Sequence, residues 1–241
     1  MVLRELWLVR HGESVGNVAA TIAERDGLDR IPLELRDADV PLSPTGANQA
    51  EALGRWLAER RSTIDTFWVS PYLRARQTML AAVGESDQPA TILLDERLRD
   101  RELGILDLLT RSGVARFHPE ELERRRHLGK FYHRPPGGES WADVALRLRS
   151  FLRDAPEASG ESALIVAHDA VVMLLLYLLL GMDEAQLLDF ASANTVLNAS
   201  VTHVVRTDAG WQMLEFAAVD HLLQDGAAVT VHHGHSDVQP E

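Results

Sequence analysis

Along this chain short apolar runs stop abruptly at polar or charged residues and give way to segments of helical period, and the pattern recurs several times. Leu6-Trp-Leu-Val9 breaks into Arg10-His11-Gly12-Glu13. It reads as a buried strand delivering an arginine and a histidine to its C-terminal edge, with Gly12 letting the backbone turn tightly beside them. Thr66-Phe-Trp-Val69 is a second strand, ending at Ser70-Pro71. Thr91 to Leu94 is a third, opening into a dense run of charges, and Ala163 to Ala167 is a fourth, stopping at His168. Helices lie between them. Ser43 is placed to cap one, with Pro44 at its first position and Ala50, Leu53, Trp56 and Leu57 on the apolar face of a segment that reaches Arg60. Leu73 to Val83 carries Arg74 and Arg76 in its first turn. Ser112 to Arg126 is helical, Phe131 to Gly138 is a loop, and Ser140 starts a helix through Arg153 with Asp143 as its capping-box partner. Ala170 to Leu180 and Ala185 to Phe190 are also helical. Thr195 to Arg206 and Trp211 to Phe216 read as strands around a turn at Thr207 to Gly210. Val18 to Val40 has no clean period and reads as a short helix and a long surface segment on the rim of a site.

Strand, polar edge and helix in repetition predict an α/β fold, a mostly parallel central sheet flanked by helices. With 241 residues, 46% of them hydrophobic, the chain fits one core: a single domain over 1–224, followed by a loose polar tail, 225–241, that contains His232-His233-Gly234-His235. A net charge of −12 argues against a nucleic-acid partner, and the absence of cysteine excludes disulfides and thiolate metal sites. Met1 to Arg10 has no apolar segment of signal-peptide length, so a cytoplasmic protein is expected. Ala163 to Met182 is apolar enough to suggest a membrane span, but His168 and Asp169 sit inside it. A strand, a turn and a core helix explain the run without burying that pair in lipid, so no membrane partner is expected.

The chemistry lies at the strand ends. Arg10 with His11, Ser70 leading to Arg74, the charges around Asp100 and Glu102, and His168 all leave the sheet on the edge where open α/β sheets bind ligands, and could converge on one small anion. A neutral imidazole is a good nucleophile toward phosphorus, and a guanidinium can fork onto two phosphate oxygens. The other conspicuous residues have blander readings. Trp7, Trp56, Trp68 and Trp141 fit core faces, His203 and His221 show no partner, and the tail histidines match no closed metal site. Arg124 to Arg126 are either a solvated helix end or a rim that gathers a second charged group of a substrate.

Taken together these blocks resemble the histidine phosphatase superfamily, which includes the cofactor-dependent phosphoglycerate mutases and their phosphatase relatives. The resemblance runs through Leu8 to Ser14 with Asn17, Leu42 to Gly46 with Gln49 and Ala50, and Ser70 to Thr78. It continues through Leu98 to Gly104, Gly137 to Ser140, and Leu164 to His168. It implies a three-layer, phosphoglycerate mutase-like sandwich and a mechanism that needs neither metal nor other cofactor. His11 would be the nucleophile, His168 a second catalytic histidine, and Arg10, Asn17, Arg74 and His168 the phosphate-binding set. Two positions depart from the pattern. The general acid falls on Asp100 where relatives carry Glu, with Glu102 two residues away as the alternative, and Asp169 replaces the Gly that usually follows the second histidine. Asp169 either raises the His168 pKa or caps the next helix. The implied activity is hydrolysis of a small phosphorylated metabolite through a phosphohistidine, with a mutase as the alternative and a non-catalytic phosphate-binding relative as a third reading. A homo-oligomer stays open.

Overall fold

Leu6 and Leu8 face one way along the first strand and Trp7 and Val9 the other, and both sets are buried, so this strand needs cover on both sides. The computed structural model, which describes residues 3–84 and 91–232, supplies it. Among the described residues one six-stranded sheet forms, in the order β3-β2-β4-β1-β5-β6. β1 (Glu5–Arg10), β2 (Thr66–Val69), β3 (Ile92–Leu94) and β4 (Ser162–Ala167) run parallel. β5 (Val201–Thr207) pairs antiparallel with β1 and carries the edge strand β6 (Gly210–Ala218). On one face α6 (Trp141–Ser159) and α7 (Asp169–Leu179) bring Leu148, Phe151 and Leu174 against Leu6, Leu8 and Ile165. On the other, α2 (Pro44–Ala58) and α3 (Leu73–Val83) bring Leu53, Leu57 and Met79 against Trp7, Val9, Phe67 and Val166. The result is the expected three-layer sandwich with a mostly parallel sheet.

The local signals that begin helices work as read. Ser43 Oγ accepts from Gly46 N at 3.0 Å, and Ser140 and Asp143 exchange the two bonds of a capping box. Each such cap contributes about 1 kcal/mol. A second capping box, Ser14 with Asn17, starts α1 (Val15–Arg25) three residues before the expected Val18.

Four expectations need correction. The single helix over Ser112 to Arg126 is two, α4 (Arg111–Phe117) and α5 (Pro119–Tyr132), because the residue before a proline is driven out of the helical region and His118 sits at φ −139, ψ 54. α5 is itself broken at Gly129 (φ 78, ψ 161), and a last turn reaching Tyr132 leaves less of the expected 131–138 loop. The helix from Ser140 runs six residues past Arg153, to Ser159. Thr195 to Ser200 is not strand, since this segment leaves the sheet to cross the strand exits. The tail is docked as far as it is described: after α8 (Glu184–Ala193) and α9 (Asp220–Gln224), Ala227 and Val229 pack beside Ala52, Ala199 and Leu222. Gln49 Nε2 donates to Ala228 O at 2.8 Å and to Thr230 Oγ1 at 2.9 Å, and His232 Nε2 meets Glu13 Oε2 at 2.7 Å. His233 and His235 lie outside the described residues. The apolar run at 163–182 divides into β4 and α7, and no helix among the described residues is long and apolar enough to cross a membrane.

Candidate active site

The sheet ladder continues one residue beyond the parallel strands, which fixes where their exits stand. His11 N donates to Ala167 O at 2.9 Å, Ser70 N to Val166 O at 3.0 Å, and Asp95 N to Val69 O at 3.2 Å. Arg10 is the last residue of β1 and is only 1% exposed. Its Nη1 donates to Val196 O at 2.6 Å, while its Nε has no hydrogen-bond partner among the described residues. A buried charged group left short of partners is costly, and a bound anion would repay that cost.

His11 Nδ1 lies 2.6 Å from Gly12 O. A carbonyl only accepts, so Nδ1 carries the proton and Nε2 keeps its lone pair. That nitrogen faces Arg74, whose Nε donates to it at 3.2 Å. Burial first, then Arg74, His168 and Arg10, hold the His11 imidazole well below the usual histidine value, so it is neutral at neutral pH. His168 is fully buried, with Nε2 2.8 Å from Ser70 Oγ and its ring edge-on to that of His11 at 5.1 Å. Burial also lowers its pKa, against the raising effect of Asp100.

Arg74 points inward from the first turn of α3 while Arg76 is exposed. Its Nη1 donates to Asp37 Oδ1 at 2.9 Å and to Asp37 O at 2.7 Å, and its Nη2 to Asp100 Oδ2 at 2.9 Å. The same Asp100 oxygen lies 3.2 Å from His168 Nδ1, although that nitrogen does not make a directed hydrogen bond. Burial works to raise the Asp100 carboxyl, His168 and Arg74 to lower it, and the lowering prevails by a wide margin. Since His168 is itself pushed toward the neutral form, the lasting charge beside Asp100 is that of Arg74. Arg147 fixes this segment by donating to Asp100 O at 3.1 Å and to both carboxylate oxygens of Glu139 at 3.0 Å. Glu102 is placed differently. It is exposed and accepts from Tyr72 Oη at 2.8 Å.

Asn17 reaches the site from the first turn of α1. Its Oδ1 accepts from Ser14 N at 3.1 Å and from Asn198 Nδ2 at 3.3 Å, which orients the amide. Asp169 is the first residue of α7, after His168 as N-cap, and among the described residues its Oδ1 accepts only from Ala170 N at 2.6 Å, so it makes no side-chain cap; nor is it among the groups that shift His168. Behind the loop that carries His11 the backbone of α2 passes in direct contact. A Cβ on Gly12 would lie 2.6 Å from Gly46 O, and one on Gly46 would fall inside the Glu13 carbonyl. The loop is tied there by Gly12 N to Thr78 Oγ1 at 3.0 Å, Glu13 N to Gln49 Oε1 at 2.8 Å and Ser43 Oγ to Glu13 Oε1 at 2.6 Å. This is what the second sequence block does: it is the backing of the first.

The structure therefore brings Arg10, His11, Asn17, Arg74 and Asp100 to one cavity of about 500 Å³, with Glu102 in the same lining; His168 does not line it but is buried with its ring 5.1 Å from that of His11. Arg124 to Arg126 do not line it; Arg101, Arg111 and Lys130 do. Arg124 is instead paired with Glu121 at 2.8 Å. Trp141, read as a core residue, is buried but also lines the cavity. His203 finds partners in Glu5 at 2.7 Å and in the stacked ring of Trp7, and His221 Nε2 meets Ala199 O at 3.0 Å. Asp37, Arg147 and Asn198 were not legible from sequence. Asp37 lies in the stretch without period, and Asn198 in a segment whose β-branched residues suggested strand. Among the described residues no group of three or more His, Cys, Asp or Glu stands where it could hold a metal ion.

Two guanidiniums, two imidazoles and a carboxylate thus gather at the C-terminal edge of the parallel strands of an α/β sandwich. The chain belongs to the histidine phosphatase superfamily (branch 1), whose sequence profile it matches over residues 6–219. It is 32% identical over 216 residues to the 2,3-bisphosphoglycerate-dependent phosphoglycerate mutase of Methylobacterium radiotolerans, covering 85% of this chain and 94% of that one. It is 29% identical over 168 residues to the fructose-2,6-bisphosphatase of Saccharomyces cerevisiae, covering 69% of this chain but spanning only 32% of the yeast protein. The alpha-ribazole phosphatase of Shigella flexneri shares the fold, with a TM-score of 0.72 at 21% identity over 89% of this chain and 96% of that one.

Proposed function

We propose that this protein is a metal-independent phosphomonoester hydrolase that works through a phosphohistidine on His11, with a small phosphorylated compound as its substrate in the cytoplasm. The observation that carries the reading is the His11 imidazole: neutral, with its proton held on Nδ1 by Gly12 O, and its Nε2 lone pair set beside Arg74. A binding module has no use for a nucleophile prepared in this way.

In the proposed reaction His11 Nε2 attacks phosphorus, the bond from phosphorus to the ester oxygen breaks, and Asp100 gives that oxygen a proton. Water then attacks the phosphohistidine, Asp100 takes back the proton, and inorganic phosphate leaves with His11 neutral again. Arg10, Arg74, Asn17 and His168 hold the three non-bridging oxygens, where charge is spread in the transition state. Asp100 is favoured over Glu102 because its Oδ2 stands among Arg74 and His168, whereas Glu102 is exposed and engaged by Tyr72. Asp100 is anionic in the empty site. A substrate dianion adds like charge beside it and competes for Arg74, and both effects raise its affinity for a proton. Asp37 is the other carboxylate that a phosphoryl oxygen replaces on Arg74.

Turnover of p-nitrophenyl phosphate by the native protein and by His11→Ala tests the reading, with 3-phosphoglycerate plus a bisphosphoglycerate primer run in parallel. Release of inorganic phosphate that is lost in the variant by about 10⁴-fold or more supports it. Isomerisation of 3-phosphoglycerate without net phosphate release establishes the mutase instead, which the similarity to the M. radiotolerans enzyme makes the competing reading. Undiminished activity in His11→Ala contradicts both.

A further inference from the structure

The proposed phosphate-binding set, the floor, makes up only part of the lining of a cavity of about 500 Å³. That volume falls within the range of sites that enclose drug-sized ligands. It is large for a phosphorylated three-carbon acid. Beyond the floor six apolar side chains stand in a lining that also carries polar and charged groups: Ile31, Leu33 and Leu108 from the first half of the chain, and Met173, Leu188 and Val196 from the second. The charges in this outer part do not add up to a second anion site. Arg101, Arg111 and Lys130 share the lining with Glu102 and Asp107. Arg101 Nε already donates to Glu139 O at 2.7 Å, and Lys130 Nζ stands 4.3 Å over the Trp141 ring.

Leu108 adds an observation of a different kind. Its φ is +57, a left-handed conformation that a branched side chain rarely takes. It is held there from both ends, by Leu108 N donating to Asp107 Oδ1 at 3.0 Å and by Leu108 O accepting from Ile31 N at 2.9 Å. Strained backbone of this sort persists where the surroundings over-determine it, and it gathers at ligand sites. An Asn or Gly would be the ordinary occupant of such a position. A leucine there supplies apolar surface to the cavity.

We infer that the outer chamber receives a neutral, apolar-bodied alcohol, so that the substrate is the phosphate monoester of such an alcohol, selected by Ile31, Leu33 and Leu108, rather than a metabolite with a second anionic group. The inference rests on the phosphoryl reading of the floor and narrows it.

The test uses phosphonates, which bind without turnover. Calorimetric Kd values are measured for n-propyl- through n-hexylphosphonate, for 3-phosphonopropionate and for inorganic phosphate, on the native protein and on Leu108→Asn, a variant whose new residue suits the left-handed backbone. Hydrolysis of p-nitrophenyl phosphate is measured on the same preparations. In the native protein the Kd falls about fourfold per added methylene. The slope is about halved in Leu108→Asn while the Kd of inorganic phosphate, which fills the floor alone, is unchanged, and 3-phosphonopropionate binds no tighter than propylphosphonate. A flat series, or 3-phosphonopropionate binding more than about tenfold tighter than propylphosphonate, overturns the inference and leaves the hydrolase reading intact. The native slope with no hydrolysis of any ester supports the chamber's chemistry and overturns the hydrolase reading instead.

Discussion

Arg10, His11, Ser70 and His168 stand at the ends of strands whose backbones stay hydrogen-bonded to one another up to and past the last residue, whereas Ile31, Leu33 and Leu108 join Arg10 and His11 in the cavity lining from a surface segment and a left-handed turn. The first group is fixed by the sheet and by α2 pressed against its back. The second is fixed by a few local bonds, and loops of this kind accept substitution more readily. In the proposed reaction the chemistry, which needs atoms placed to within a fraction of an ångström, falls to the rigid group, and the inferred selectivity to the replaceable one. Changes in the floor should thus alter catalysis for every substrate, and changes in the walls should alter which substrate is preferred.

The largest effect that sharpens this contrast concerns the acid. Asp100→Asn slows hydrolysis of an alkyl phosphate by about 10²- to 10⁴-fold, while p-nitrophenyl phosphate, whose leaving group departs without a proton, is slowed far less. Glu102→Gln, on the wall side of the same loop, changes both substrates equally or neither. The ratio of kcat/KM on the two substrates reads the difference, and a leaving-group dependence that appears only in Glu102→Gln reassigns the acid to Glu102.

Gly46→Ala breaks the backing rather than the chemistry. Its Cβ has no room beside the Glu13 carbonyl, and two backbones cannot relax as a flexible side chain does. We expect a loss of about 3 kcal/mol or more, which for a chain of this size lowers Tm by roughly 6–12 °C. An unchanged Tm shows that the loop is not held by this contact.

The smallest effect is on pH. His11, His133, His168 and His221 are all held below the usual histidine value, in each case first by burial. Below about pH 6.5 the unfolded chain binds their protons and the native state does not. Unfolding therefore takes up protons, and stability falls as pH falls. Thermal unfolding should show a lower Tm at pH 5.5 than at pH 7.5. A Tm that rises on acidification contradicts the assignment of neutral, desolvated imidazoles.

How far each part could be read from the chain follows the same division. In the floor, Arg10, His11 and His168 were legible because each stands where an apolar run ends, and a parallel sheet must place such ends together, whereas Asn17, and the choice of Asp100 within its run of charges, were reached only through the family resemblance. The helix starts at Ser43 and Ser140 were legible because capping is local. Asp37 and Leu108 were not, since their roles depend on where Arg74 and Ile31 lie in space. The break at His118 was available in the proline that follows it. The docking of Ala227 and Val229 depends on a groove between α2 and α9 that no sequence period reveals.

The central claim is that His11 Nε2 carries the phosphoryl group, and it is tested most directly by trapping that species. A phosphomonoester with a labelled phosphoryl group is mixed with the native protein, quenched within milliseconds in alkaline detergent, and the label is located by peptide mapping. The account predicts a base-stable, acid-labile phosphoryl group on the peptide that contains His11, absent from His11→Ala and still formed on p-nitrophenyl phosphate in Asp100→Asn. Turnover with no label on His11, or label on another residue, would contradict it.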